Sequence, residues 1–239
     1  RQPSNFLLKP PNCGSWASGG AGIVAADFNP YAGASDLTLR RSLIARNDVV
    51  GVWVNGSVAT IEDSVVRDTQ PYEATGFGGR GISVQQSRYG EVDLGPPAVA
   101  TLRRNLLFGN REAGLMILGA TATVEALVVR DTRSREADDQ YGDGVAVMGG
   151  EVECCEWAPT AVEIAELVVE DSARAGIFFY GAGGSLRSSI VRRSVFAIAL
   201  DEGADPTIAA DNFFEDNERN EVSAGLGLDP APPIEPLDR

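Results

Sequence analysis

Seven stretches of the chain share one pattern of apolar and polar positions: LTLRRSLIARN (37–47), ATIEDSVVRDT (59–69), ATLRRNLLFGN (100–110), ATVEALVVRDT (122–132), VEIAELVVEDS (162–172), GSLRSSIVRRS (184–194) and PTIAADNFFED (206–216). The third residue of each is apolar, most have an apolar pair four and five residues later, and most end in Asn, Thr or Ser. A second motif alternates with the first, a Gly followed by an apolar run: GIVA (22–25), GVWV (51–54), GISV (81–84), GLMI (114–117), GVAV (144–147) and GIFF (176–179). AIAL (197–200) is a further copy with Ala in place of Gly. These runs are short and rich in Val, Ile and Leu, which suits strands, and no 3.6-residue period persists for long enough to make a helix.

Spacing turns the strands into an architecture. From Leu39 through Ile61, Leu102, Val124, Ile164 and Leu186 to Ile208 the steps are 22, 41, 22, 40, 22 and 22 residues. The base period is therefore 22, and the long steps add insertions at 70–79 and 133–143 after the Asp-Thr turn and at 87–98 and 149–160 after the Gly strand. Leu39 to Leu102 is 63 residues and Leu102 to Ile164 is 62, the mark of a duplicated two-coil unit. One coil cannot bury its own apolar side chains, but stacked coils can, each strand pairing with its equivalent above and below. About seven coils at ~4.8 Å span roughly 34 Å.

Stacking predicts ladders. The residue after each anchor faces outward and reads Arg40, Glu62, Arg103, Glu125, placing opposite charges on adjacent strands. A second ladder, Asn47, Thr69, Asn110, Thr132, Ser172 and Ser194, is expected to satisfy backbone groups at a turn. The Gly before each strand is expected at positive φ. Residues 1–19, with Phe6, Leu7, Leu8 and Trp16, read as an N-terminal cap, 20–217 as the solenoid, and 218–239 as a C-terminal strap or Pro-rich tail.

The Gly-Ile-x-Val strands and Ser/Asn-x-Val-Val-x-Asp-Thr turns over residues 20–217 resemble the parallel β-helix repeats of carbohydrate-binding and sugar-hydrolase proteins, the pectate-lyase-like superfamily. The expected fold is all-β, a right-handed single-stranded parallel β-helix. The resemblance implies polysaccharide lyases, glycoside hydrolases, uronate epimerases, tailspikes and secreted surface proteins. It does not choose among them, because function lives in sites rather than in folds.

Composition narrows the chemistry. Net charge is −14, which opposes binding to a phosphate backbone. The sequence holds no histidine, so the commonest general base and transition-metal ligand is missing. No apolar stretch is long enough to be a transmembrane helix. Cys13, Cys154 and Cys155 leave open either idle thiols or a bridge from Cys13 to one of the adjacent pair.

The insertions carry the candidate site. They recur in register and are expected to cluster on one side, bringing Tyr72, Phe77, Tyr89, Tyr141 and Trp157 beside many carboxylates, as a sugar-binding groove needs. Asp138 and Asp139, the one adjacent Asp pair in a loop, are the catalytic candidates for a hydrolase, and for a lyase Arg80, Arg88 or Arg135 could serve as base, with Arg135 beside the Asp pair. Asp138, Asp139 and Asp143 are candidate ligands for Ca²⁺. The hydrolase and epimerase motifs that need His are missing. The leading expectation is a non-catalytic, extracytoplasmic domain that displays loops to a polysaccharide, with a lyase or hydrolase and a self-assembling module as alternatives.

Overall fold

A computed structural model describes residues 20–27, 33–89, 93–152 and 155–234. The described residues form no helix. Three parallel sheets of eight, seven and seven strands run the length of the molecule, and the chain visits them in strict rotation. The long sheet is built of six-residue strands, among them Val50–Asn55, Arg80–Gln85, Ala113–Leu118, Asp143–Met148 and Ala175–Tyr180. The middle sheet holds the anchors, as in Val58–Glu62 and Val99–Arg103. The short sheet holds the apolar pairs, as in Val65–Arg67 and Leu106–Phe108. Pairing is in register from coil to coil: Leu39 meets Ile61, Ile61 meets Leu102, and Leu102 meets Val124.

At the levels of the central coils the long and middle sheets each point two side chains inward and the short sheet one. Val52 and Val54, Ala59 and Ile61, and Val66 make one layer, and Leu115 and Ile117, Ala122 and Val124, and Val129 make another, all in a single continuous core. Burial of such side chains contributes about 1.5–3 kcal/mol each before the entropy of ordering is subtracted.

The repeated glycines serve a different purpose from the one expected. Gly51, Gly81, Gly114, Gly144 and Gly176 are not at positive φ. They lie inside the long strands, where four of the five face a short-sheet valine. A Cβ on Gly114 would sit 2.4 Å from Val129 Cγ1, and one on Gly144 would sit 2.3 Å from Val169 Cγ1. Close approach of two sheets at a corner, not backbone torsion, demands Gly there. The left-handed turns fall instead on Arg41, Asp63, Arg104, Ala126, Glu166 and Ser188, with φ of 47°, 51°, 51°, 53°, 55° and 52°. The same strained conformation is thus repeated at six successive coils, where a stack of identical turns holds it in place.

The charge ladder forms as expected: Arg40 reaches Glu62 and Arg103 reaches Glu125, each at 3.0 Å. Of the Asn/Thr/Ser ladder, Asn110 forms the expected contacts, while the Asn47 amide nitrogen is buried without a partner among the described residues. Asn110 accepts from the Thr69 N–H at 3.1 Å and donates to the Val66 carbonyl at 3.2 Å. The hydroxyls of Thr69, Thr132, Ser172 and Ser194 are buried with no hydrogen-bond partner among the described residues. A better ladder lies five residues earlier. Ser42 N–H donates to Ser64 Oγ (3.1 Å), Ser64 N–H to Asn105 Oδ1 (3.0 Å), Leu167 N–H to Ser189 Oγ (3.2 Å) and Ser189 N–H to Asn212 Oδ1 (3.0 Å).

A larger cluster of charge closes one turn of the short sheet. Glu170, 4% exposed, lies between Arg130 (2.6 Å) and Arg192. Burial alone would raise its carboxyl, but the hydrogen bond from Arg192 and the charges of Arg130 and Arg193 outweigh it and hold it below the ordinary range. Arg193 likewise lowers Asp171.

After the last long-sheet strand, Arg219–Ala224, the chain leaves the pattern. Residues 225–234 turn back and run along the outer face of the long sheet. Leu226 and Leu228 pack on Phe178 and Ala199. Ala231 packs with Met116, Leu118 and Met148, and Ile234 with Val50 and Trp53. The expected cap over 1–19 lies outside the described residues.

Two outcomes follow. Gly144→Ala should lose about 1–3 kcal/mol in urea denaturation through overpacking, whereas Gly20→Ala, with nothing within 4 Å of the new methyl, should stay within about 0.5 kcal/mol; equal stability of the two would refute the close-approach account. Glu170 and Asp171 have folded pKa values below their unfolded ones, so their contribution is present above the ordinary carboxylate pKa of about 4 and is lost as pH falls through the folded values. The denaturation midpoint should be flat from pH 7 to about 5, then fall, and Glu170→Gln should flatten that fall.

Candidate functional site

The insertions do not gather on one side. Those at 70–79 and 133–143 stand where the short sheet passes to the long sheet, and those at 87–98 and 149–160 where the long sheet passes to the middle sheet. They form two columns on opposite edges of the long sheet, with its outer face between them. A coil has one corner before each long strand and one after it, and insertions at both must flank that strand.

Each column is tied together. In the first, Phe77 and Tyr141 enclose the Arg135 guanidinium, 4.3 Å and 4.5 Å from the ring centroids. Tyr141 and Phe178 lie 5.1 Å and 4.8 Å from the Arg174 guanidinium. The order Phe77, Arg135, Tyr141, Arg174, Phe178 makes a column of alternating rings and cations, each contact worth ~0.5–2 kcal/mol when desolvated. In the second column both insertions are antiparallel hairpins, Arg88–Tyr89 with Asp93–Leu94 and Gly150–Val152 with Cys155–Trp157. Gln86 joins them, donating to the Gly95 carbonyl (2.9 Å) and accepting from the Ala158 N–H (2.9 Å). Trp157 is 2% exposed, with the Arg88 guanidinium 5.4 Å from its ring centroid.

The candidate aromatics are therefore packing groups in this conformation. Tyr141 is 8% exposed, and Tyr72 is half-buried against the cluster that holds Ile234. A ring already covered by a guanidinium or a neighbouring side chain has no face to offer a pyranose. The side chain of Tyr89 lies outside the described residues.

The candidate acids and base are divided between two ion pairs. Arg135 donates two hydrogen bonds to Asp138, that from Nε to Oδ1 at 3.0 Å. The Arg135 bond, with help from the Gln140 N–H, keeps the Asp138 carboxyl below its usual range, so it is ionised and not a proton donor. Asp143 is fully buried and is gripped by Arg174, Nε to Oδ1 at 2.9 Å. Asp139 is exposed, at a φ of 58°. Asp138 and Asp143 thus face different cations, and among the described residues no group of three acids or cysteines is placed to hold a metal ion. Burial pushes the Tyr141 phenol up against the pull of Arg135 and Arg174, so it is neutral at physiological pH. Cys13 and Cys154 lie outside the described residues.

A pair not anticipated from sequence lies deepest. Arg80 and Glu112, 2% and 1% exposed, form a salt bridge under the tail. Arg80 Nε donates to Glu112 Oε1 at 3.0 Å, and the Gly78 N–H donates to Oε2 at 2.8 Å. The signal was present in the sequence: Arg80 opens a long strand and Glu112 stands just before the next one, so stacking brings them together.

No protein-family model matches the chain, and no curated protein matches it. No helix of the described residues is long and apolar enough to cross a membrane.

Glu112→Ala should destabilise the fold by about 3–5 kcal/mol, because Arg80 is left buried and unpaired. A double change, Arg80→Met with Glu112→Leu, should recover most of that loss. Guanidinium denaturation of the three variants measures it, and a double variant as weak as the single would show that the pair is worth more than its volume.

Proposed function

We propose that this chain is a right-handed parallel β-helix of about seven coils that serves as a non-catalytic, extracytoplasmic display domain for a polysaccharide. Right-handed crossovers are the rule for parallel strands joined within one sheet, and the strict rotation among three sheets fits a single winding sense.

The observation that carries the non-catalytic reading is the closed lateral face. On this fold the chemistry of related enzymes lies on one long face between inserted loops. Here that face is occupied by residues 225–234, and Arg135, Asp138, Asp143 and Arg174 are committed to one another. A general acid, a nucleophile or a β-eliminating base has to be released from such a pair before it acts.

Among the surfaces left open, the outer face of the middle sheet carries a regular row of hydroxyls. Thr38, Thr60, Thr101 and Thr123 stand in register on four successive strands. The Arg40, Glu62, Arg103 and Glu125 row runs beside them, with Val58 and Val99 exposed on the other side. Hydroxyls repeated at the ~4.8 Å strand spacing suit a ligand that is itself periodic. Cross-strand Thr pairs also stabilise a sheet, so the row needs a binding test.

A polysaccharide screen with and without Ca²⁺, read for binding and for reducing-end or unsaturated product, is that test. Binding without product is the expected result, weakened about tenfold or more by a combined Thr60→Val, Thr101→Val and Thr123→Val change that leaves the melting curve in place. Product released by the wild type and abolished at Asp138 would overturn the reading in favour of a lyase or hydrolase. Binding indifferent to the threonines would place the ligand on the loops.

A further inference from the structure

The tail is held differently from the coils. Coils are joined by strand pairing, whereas residues 226–234 form no strand. Side chains of the long sheet and its edge grip the tail's main chain instead. Asp201 accepts from the Leu228 N–H at 2.8 Å, and Arg174 donates to the Asp229 carbonyl at 2.9 Å. Arg80 donates to the Pro232 carbonyl. Gln85 clamps Ile234 from both sides, donating to its carbonyl at 2.6 Å and accepting from its N–H at 3.3 Å. Between these grips the apolar side chains of Leu226, Leu228, Ala231 and Ile234 enter clusters formed by Phe178, Met116 and Trp53.

The tail is also prepared for such a site. Pro230, Pro232 and Pro233 fix φ and hold the residues before them extended, so little entropy is lost on docking. At its root Gly225 and Gly227 have φ of 66° and 64°, with nothing within 4 Å of a Cβ at either. Both glycines sit in open space at the bend between the last strand and the docked segment, with the Leu226 side chain between them already packed on the sheet. Carbonyl and amide recognition along an extended proline-containing segment, with pockets for spaced apolar side chains, is how polyproline-type peptides are bound.

We infer that the outer face of the long sheet is a peptide-recognition groove, that its ligand is an extended proline-containing segment of the sequence GLGLDPAPPI (225–234), and that the tail occupies it as an exchangeable ligand. The groove accepts that sequence from outside the chain as well as from within it. This is independent of any polysaccharide bound elsewhere.

The test uses the full chain with a specific protease site inserted between Ala224 and Gly225, cut after folding. The cut tail should co-elute with the body on gel filtration. A fluorescent GLGLDPAPPI peptide should then replace it, read by anisotropy, while the uncut protein should exclude the peptide. Gln85→Ala removes two hydrogen bonds and should weaken the peptide about 10- to 100-fold, and a peptide with alanine at all three prolines should bind more weakly than the native sequence. A body that keeps its β-sheet circular dichroism yet neither retains the tail nor takes up the peptide would overturn the proposal. So would a tail that stays but never exchanges, or a body that unfolds when cut, since either makes the tail an integral part of the fold.

Discussion

Everything in this molecule depends on the in-register stacking of one coil on the next. A strand of three to six residues has almost no stability alone. Placed one strand spacing above its equivalent, it pairs its backbone and buries its inward side chain against the same position of its neighbours. Ile61, Leu102 and Val124 are one residue repeated, and so are Val66, Leu107 and Val129. Any feature that suits one coil is therefore repeated or answered in the next. That is why a strained left-handed turn recurs, and why Arg40 finds Glu62.

The same rule governs the corners. Where the short sheet meets the long sheet there is no room for a Cβ, and Gly is repeated through Gly51, Gly114, Gly144 and Gly176 against Val66, Val129, Val169 and Val191. The core is thus tightest along a line of glycines facing valines. Insertions enter only at corners, because only there does a detour leave the three ladders intact. Placed on alternate coils they meet one another across the coil between them, which is how Phe77 and Tyr141 come to enclose Arg135.

The three-sheet stack and its 22-residue period were legible because they depend on single apolar positions that recur. The candidate site was less legible. Asp138 and Asp143 were readable as acids in a loop, but nothing local announces that Arg135 and Arg174 neutralise them, since those contacts depend on how a loop folds over its own strand and on a residue 31 positions away. The role of the glycines is not legible in the sequence because a turn and a close approach demand the same residue. The covered outer face did leave a trace. GLMIL, GVAVM and GIFFY are apolar on both faces of the strand, whereas a strand with one face in water alternates with polar residues. Met116, Leu118, Met148 and Phe178 point away from the solenoid core and are still fully buried, so something had to lie over them.

That covering explains why the deepest charges sit outside the core rather than in it. The interior layers are purely aliphatic and aromatic, and a charge there would have no partner. Between the long sheet and the tail there is irregular backbone on one side, and irregular backbone offers carbonyls and amides that no strand has claimed. Arg80 and Arg174 each answer one carboxylate at the start of a long strand and one carbonyl of the tail. The ion pairs and the tail are therefore one device. Without the tail the guanidiniums would each lose an acceptor and face water. Without the guanidiniums a proline-interrupted segment, unable to pair as a strand, would have only apolar contact to hold it. The sheet supplies the rigid row on which both depend, spaced by the same coil repeat that builds the core.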